Sequence, residues 1–413
     1  LQGRVHYLHA EVSLLLHRHE DVLTNARLGL AFFPKTGEFS EERSFLYQYI
    51  AQIYMREGQF DLALSAVRNG MEELKGEHVE TAVTLRVMCG VLFRHQGRYD
   101  DALRELQIAR KEMDKIQNDK SRASAKATIL NLQSTIQIDK GEIEAARESI
   151  DRAIRISDDN TFTFYRALLR NKRADLESSI GNLMEAEPFI AEAMRISGST
   201  GMPSEKATAM VLNGNIAVHR GQFEDAERYY DRALVITETL RRRIQSDRIR
   251  RLQARMYRLT GRFAEARKVL QDLSDRMVCS YPTPSGVTLQ IEAGMLDLSS
   301  AHYTSALRHL TKAVDFIRRM RGHRHEAWAQ YGLAQAFWRL NHLNRTKNRL
   351  IEARQLAEQF ENNVLLAWIC LLEARLARLD RNREGFRKKM VDAERLFRNL
   401  GNEPGRLAVR ELE

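Results

Sequence analysis

The stretch GQFEDAERYYDRAL, residues 221–234, decides the fold. It opens on Gly221, sets Phe223 two residues on and Ala226 three further, and continues as a helix with Ala226, Tyr230 and Ala233 on one face. The opening phrase recurs at Gly58-Phe60-Ala63, Gly97-Tyr99-Ala102, Gly141-Ile143-Ala146, Gly181-Leu183-Ala186 and Gly261-Phe263-Ala266. From Gly141 onward its step is constant, about 40 residues, a period in the range of helical repeat arrays. Extended by that step, Ala301-Tyr303-Ala306 keeps the phrase, Asn341-Leu343-Thr346 weakens it, and Arg381 with Phe386 nearly loses it. Counting backward, Asp21-Leu23-Ala26 supplies a tenth, degenerate unit. Self-similarity of this kind takes precedence over any division of the chain by length.

Three further columns follow the same step. Seven residues before the Gly position stand Ala51, Gly90, Ser134, Ala174, Gly214, Ala254, Gly294, Ala334 and Ala374, all small. Nine after it stand Val67, Leu106, Ile150, Ile190, Tyr230, Leu270, Leu310, Leu350 and Met390, all large. Twelve after it stand Gly70, Ala109, Ala153, Ala193, Ala233, Ala313, Ala353 and Ala393, with Leu273 the exception. Small-large-small columns at helical spacing predict a helix, a tight Gly turn and a second helix in each unit, with neighbours interlocking. The expectation is an all-α stacked solenoid of about ten hairpins over residues 1–413, with decayed capping units at about 1–40 and 380–413.

Composition agrees with a folded helical protein. The 413 residues are 43% hydrophobic and 29% charged, with six Pro and 22 Gly, which excludes disordered and collagen-like chains. Cys89, Cys279 and Cys370 share no metal or redox spacing and read as reduced thiols in a cytoplasmic setting. The most apolar stretch, Val364 to Leu379, carries Glu373, Arg375 and Arg378 and reads as a buried amphipathic helix, not a membrane span. The chain begins at Leu1 and so reads as a piece of a longer protein. No GxxxxGK[ST] loop, helix-opening GxGxxG, GxSxG elbow or HExxH helix is present, so no catalytic role, cofactor or metal is expected. His17 with His19 and His323 with His325 stand at i,i+2, which points them apart on a helix; they read as surface or capping residues. From Glu403 to Glu413 the chain is too short for a DNA-reading helix-turn-helix.

The small residue late in the first helix, the Gly-x-Tyr turn and the following Ala resemble the tetratricopeptide repeat (TPR), over nearly the whole chain. That family's common unit is shorter, about 34 residues, so each hairpin here is expected to be longer by a turn or two. In repeat length and style the chain resembles the TPR sensor region of maltose-regulator-type, ATP-dependent bacterial transcriptional activators of the LuxR family. The resemblance implies a right-handed superhelix whose first helices line a concave face. It also implies that the exposed concave positions stand about 13, 10, 6, 3 and 2 places before each turn.

Applied unit by unit, those offsets imply an uneven groove. Thr128, Asn131 and Thr135, then Asn171, Asp175 and Ser178, then Thr208, Asn215 and His219 form a polar half, suited to a peptide backbone or a sugar; ordinary solvated polar residues are the alternative. Next come Arg248, Arg251, Arg255 and Arg258, whose spacing of 3, 4 and 3 makes one stripe. The net charge of the chain is +10, and the segment Arg241 to Lys268 holds eleven basic and two acidic residues, a surplus of +9. The stripe reads either as a recognition surface for carboxylate or phosphate, or as a solvated face paired to acids of neighbouring helices such as Asp297. The last units present Trp328, Tyr331, Gln335 and Trp338, then Trp368, Leu371, Arg375 and Arg378. Clustered Trp beside Arg can hold an apolar or planar group, or can pack internally to close the superhelix.

The function expected is that of a non-catalytic recognition module within a signalling or transcription-regulating protein, binding a peptide, a partner segment or a small polar or anionic ligand. Self-association of the chain is compatible with that expectation, and no membrane contact is expected. The alternatives are a constitutive assembly scaffold and nucleic-acid binding through Arg241 to Lys268; one basic stripe offers few phosphate contacts.

Overall fold

A left-handed residue at each turn of the phrase sets the architecture. In a computed structural model, which describes the chain except residues 36, 75, 77, 277–282, 321–323 and 413, the described residues form 21 α-helices and a short 3-10 turn at Gly37–Phe39, with no strand. The hairpins are α1 (Gln2–Leu15) with α2 (His19–Phe32), α3 (Ser40–Arg56) with α4 (Phe60–Leu74), α5 (Val79–His95) with α6 (Tyr99–Met113), α7 (Asp119–Lys140) with α8 (Ile143–Asp159), and α9 (Thr163–Ile180) with α10 (Leu183–Ser199). They continue as α11 (Pro203–His219) with α12 (Phe223–Thr239), α13 (Arg243–Leu259) with α14 (Phe263–Arg276), α15 (Pro284–Ser299) with α16 (Tyr303–Arg319), α17 (Glu326–Arg339) with α18 (Leu343–Gln359), and α19 (Asn363–Leu379) with α20 (Arg383–Asn399). A short α21 spans Glu403–Arg410. The architecture is an all-α helical-repeat solenoid. No helix among the described residues is long and apolar enough to cross a membrane.

Each turn of the phrase holds a left-handed residue, with φ of 80° at Gly141, 74° at Gly221 and 76° at Gly261. This geometry lets the amide of Glu142 donate to the Gln137 carbonyl (2.8 Å) and that of Gly141 to Ile138 (3.1 Å), satisfying the orphan carbonyls of the helix end. Where the phrase decays, the turn persists without glycine: Ala301, Asn341 and Arg381 have φ of 62°, 62° and 55°. The turns between hairpins, which the phrase does not mark, share the geometry at Thr161, Gly201, Arg241, Glu361 and Gly401. From Gly141 to Gly261 these turns recur at half the sequence repeat. Helices such as α8, α10 and α11, each of 17 residues, alternate with these short reversals.

The columns interlock as their sizes require. The Ala of the phrase is 0% exposed at 63, 102, 146, 186, 226, 266 and 306. A Cβ at Gly214 would stand 2.6 Å from the Tyr230 ring, and one at Gly294 would stand 2.6 Å from Leu310, so the small column before the turn receives the large column after it.

The chain divides into two compact units. The first comprises Leu1–Ile136, Ser149–Tyr165 and Thr237–Ser246. Within it Arg43 binds Glu73 through two hydrogen bonds of 2.9 and 2.7 Å, joining α3 to α4. Its α1 is not a polar cap: Val5, Leu8, Val12 and Leu15 are exposed on the outer face while Gly3 and Ala10 are buried on the inner one. His19 is buried beside Glu57 (3.6 Å), contrary to the surface reading, and burial with Arg56 nearby lowers its pKa to about 4. His17 carries the left-handed turn between α1 and α2, with φ of 56°. Cys279 and His323 lie outside the described residues; Cys89 and Cys370 are buried thiols.

The second unit comprises Gln137–Glu148, Arg166–Ile236 and Asp247–Glu413. Here the late repeats close on the early turns. Phe360 covers Gly141, Val364 and Leu400 cover Gly181, and Pro404 approaches Gly221. The amide of Arg324 donates to the Asp139 carbonyl (2.8 Å), and Asn402 meets His219 (3.3 Å).

Gly141 and Gly261 share a left-handed φ but not surroundings. A Cβ at Gly141 would collide with the Phe360 ring, whereas one at Gly261 meets nothing within 4 Å. Gly261→Ala is expected to lower stability by about 1 kcal/mol through backbone strain alone, and Gly141→Ala by about 1–3 kcal/mol more through overpacking. Urea unfolding of the two variants checks this, and equal losses would contradict the Phe360 contact.

Candidate functional site

Helix α13 carries Arg248, Arg251, Arg255 and Arg258 on one face, over about 15 Å at roughly 1.5 Å per residue. All four line a cavity of about 220 Å³ inside the second unit. The neighbouring first helices contribute Asp175 and Ser178 from α9, Asn215 and His219 from α11, Glu292 from α15 and Trp328 from α17. Tyr230 enters from α12, and Phe360, Asn362 and Val364 form part of the wall where the late repeats meet the early turns. The arginine stripe thus faces a partly enclosed chamber within this unit.

The sequence-derived site residues separate here. Asn215, Arg248, Arg251, Arg255, Arg258 and Trp328 come together in the chamber. Asn131 does not; it is half-buried in the first unit. Asn171 is only 2% exposed, because its amide turns into the helix interface and donates to the Glu205 carbonyl (2.9 Å). Tyr331 is 3% exposed in the core, its hydroxyl accepting from Gln335 (2.8 Å). Trp338 lies under Arg339 and Arg375, whose guanidinium carbons are 4.6 and 5.5 Å from its ring, and Trp368 packs edge-on to Phe397 at 5.0 Å. The three Trp therefore do not form one surface. Equivalent offsets thus end in the chamber, in a helix interface or at the flank, according to what packs against each helix.

Chamber residues outside the earlier expectation include Glu292, Arg324, His325, Ile143 and Phe360. Ile143 belongs to the turn phrase at Gly141, but no periodic signal assigns it or the others to a groove position, since they arrive from loops, from an off-column position or from distant turns of the repeat.

The basic run Arg241 to Lys268 is dispersed by the fold. Arg243 donates to the Glu57 carbonyl in the first unit (3.2 Å). Arg262 binds Glu227 (2.9 Å) and Glu265 (2.6 Å), and Arg267 binds Asp297 (3.0 Å). Asp297 thus serves Arg267 and not the stripe. Within the stripe, Arg248 binds Asp175 at 2.7 Å. Burial alone would raise the Asp175 carboxyl, but Arg248 and Arg324 outweigh it and hold its pKa below the ordinary value. Arg255 lies over the Trp328 ring at 5.8 Å. Burial, reinforced by Arg248, brings Arg251 down to about 10; Arg258 is also lowered, by burial and then by Arg255.

Tyr230 donates to the Asn215 side-chain carbonyl (2.8 Å), and burial pushes its phenol up. Burial, with Arg255 nearby, lowers His219 to about 4. The folded pKa lies below the unfolded one, so acid favours the unfolded chain between about pH 6.5 and 4. Lowering the pH from 7.5 to 5 is expected to remove about 1–2 kcal/mol through His219. His219→Gln should reduce that loss in urea titrations at the two pH values, and an unchanged pH dependence would contradict a half-buried, neutral imidazole.

Comparison with known proteins places this architecture. No curated protein matches the chain. Among solved structures, a Rap protein complexed with competence and sporulation factor is 14% identical, with a TM-score of 0.60 over 86% of this chain and 99% of that one. Aspartyl phosphate phosphatase F from Bacillus subtilis is 11% identical, with a TM-score of 0.50 over 87% and 95%. A human IFIT1 dimer with PPP-AAAA is 15% identical, with a TM-score of 0.50 over 92% and 87%. At these identities the likeness is one of fold. The family described as the MalT-like TPR region matches residues 47–359, and the chain belongs to that family.

Proposed function

We propose that this chain is a non-catalytic recognition region of a larger regulatory protein and that it takes a small polar or anionic ligand in the chamber of its second unit. The observation that carries the reading is the enclosure of the Arg248–Arg258 stripe. It shares a partly enclosed chamber of about 220 Å³ with Trp328 and Asn215, below the usual range of ligand pockets and so restrictive for anything larger than a small molecule. The Rap structure holds competence and sporulation factor, and the IFIT1 structure holds PPP-AAAA. Those neighbours support the idea that such folds bind ligands without indicating which ligand this chain takes.

Dispersal of the basic run weighs against nucleic acid: Arg262 and Arg267 are held by acids, which leaves no continuous cationic track for a phosphate backbone. A scaffold gripping a partner segment would place its contacts on open helix faces and would leave the chamber without a role. Coupling of ligand to output follows if the ligand favours one of two arrangements of the closing repeats.

A variant with Trp338→Phe and Trp368→Phe keeps Trp328 as its sole Trp reporter. Small sugars, sugar phosphates and dicarboxylates are expected to shift its emission and raise its melting temperature, while short peptides do neither. Arg251→Glu with Arg255→Glu is expected to abolish anion binding with helical content retained. Binding of peptides alone would overturn the small-ligand reading.

A further inference from the structure

The tenth residue before each turn shows what is unusual in α13. In α11, α15, α17 and α19 that column is buried, with Val211 5% exposed, Ile291 6%, Tyr331 3% and Leu371 2%, while in α7 and α9 it holds Asn131, half-buried, and Asn171, hydrogen-bonded to Glu205. In α13 the same column holds Arg251. A guanidinium there loses hydration that only a paired anion would restore. No hydrogen bond or ion pair among the described residues holds it.

Arg258, two turns further along α13, is in the same condition. Its Nε is buried without a partner, and so is the Nε of Arg324 across the chamber. Glu292 is the carboxylate that acts on both Arg251 and Arg258, and it lies within ion-pairing distance of neither. Arg248 is different, because Asp175 already binds it. The chamber therefore lines five guanidinium groups, Arg248, Arg251, Arg255, Arg258 and Arg324, with two carboxylates, Asp175 and Glu292, a surplus of three positive charges. A monoanion leaves most of that surplus uncompensated, whereas a small molecule carrying two negative charges offsets most of it.

We propose that the chamber binds a small organic dianion, its charge carried as a phosphate monoester or as two carboxylates, with Arg251 and Arg258 as the anion-holding residues. This rests on the reading of the chamber as the ligand seat. Trp328 with Arg255 over its ring, together with Ile291, Met295 and Phe360, forms the wall against which the organic part lies. Arg248, fixed by Asp175, positions the stripe. Planar guanidinium donors suit the paired oxygens of either group. Glu292 opposes the ligand and limits its affinity.

The test is calorimetric titration of the full chain with glucose 6-phosphate and with succinate, each beside its neutral counterpart, glucose or succinamide, and with inorganic phosphate. At least one dianion is expected to bind at least about tenfold more tightly than its neutral counterpart, and which one binds separates the phosphate from the carboxylate source. Arg251→Gln and Arg258→Gln are each expected to weaken it at least about tenfold, the loss typical of a charge-assisted contact. Glu292→Gln is expected to tighten it about threefold or more, a gain that a purely structural role for Glu292 would not produce.

A measurement without ligand bears on the same point. Arg251→Met is expected to leave the melting temperature of the free chain unchanged or raised, because it removes an unpaired charge from an apolar column. A lowered melting temperature would mean that Arg251 serves the fold, and would overturn the assignment. Equal or tighter binding of glucose or succinamide with a Trp328 response would overturn the dianion while leaving the chamber as the ligand seat. Binding of peptides with no chamber ligand of either kind would remove the seat as well. Binding of inorganic phosphate alone, or of no dianion at millimolar concentration, also overturns the proposal.

Discussion

A residue held in the left-handed region at each turn of the phrase, and at several of the turns between hairpins, is the constraint on which the rest depends. It ends each helix by satisfying the last carbonyls locally, so the chain reverses without a long loop. Because the helix between reversals keeps nearly one length from α8 to α12, the small column before a turn meets the large column after it, as Gly214 meets Tyr230. The same turn geometry at Ala301, Asn341 and Arg381 shows which partner controls. A non-glycine residue in that region is strained by about 1–2 kcal/mol, and the packed hairpins on either side hold it there.

Regular turns also create flat places on which distant repeats can land. Gly141 and Gly181 have no side chain, so the Phe360 ring and the Leu400 side chain approach their backbone directly. In this unit the glycine phrase has two roles: it turns the chain, and it seats the late repeats. The chamber beneath is a consequence of that second role, since Phe360 and Val364 form part of its wall.

On the proposed reading of the chamber, stability and recognition pull in opposite directions. An apolar residue at position 251 would continue the column of Val211, Ile291 and Tyr331, and the chain has Arg instead. A local choice that disagrees with the equivalent apolar positions marks a functional demand more clearly than a polar residue on an exposed face, where nothing opposes it. Arg248 shows the contrast: with Asp175 bound to it, its charge is accounted for inside the fold.

The sequence by itself determined the hairpin, its turn and the interlocking columns, because each depends on residue size and spacing within a single repeat. It also placed Arg248, Arg251, Arg255 and Arg258 on one face, since helical geometry alone decides that. Tertiary structure decided which face that is and what lies opposite. Asn171 and Trp368, at offsets equivalent to Arg251 and Arg248, went into helix interfaces, Asn171 bonded to Glu205 and Trp368 packed on Phe397, because the partner that each helix meets differs from repeat to repeat. The +9 charge run became several unrelated sets of contacts, because pairing of Arg262 and Arg267 depends on acids in other helices. Closure by Phe360, and the approach of Glu292 and Arg324, join residues whose separation in the chain follows no period. Their meeting is a property of how whole repeats stack, which no local pattern of residues encodes.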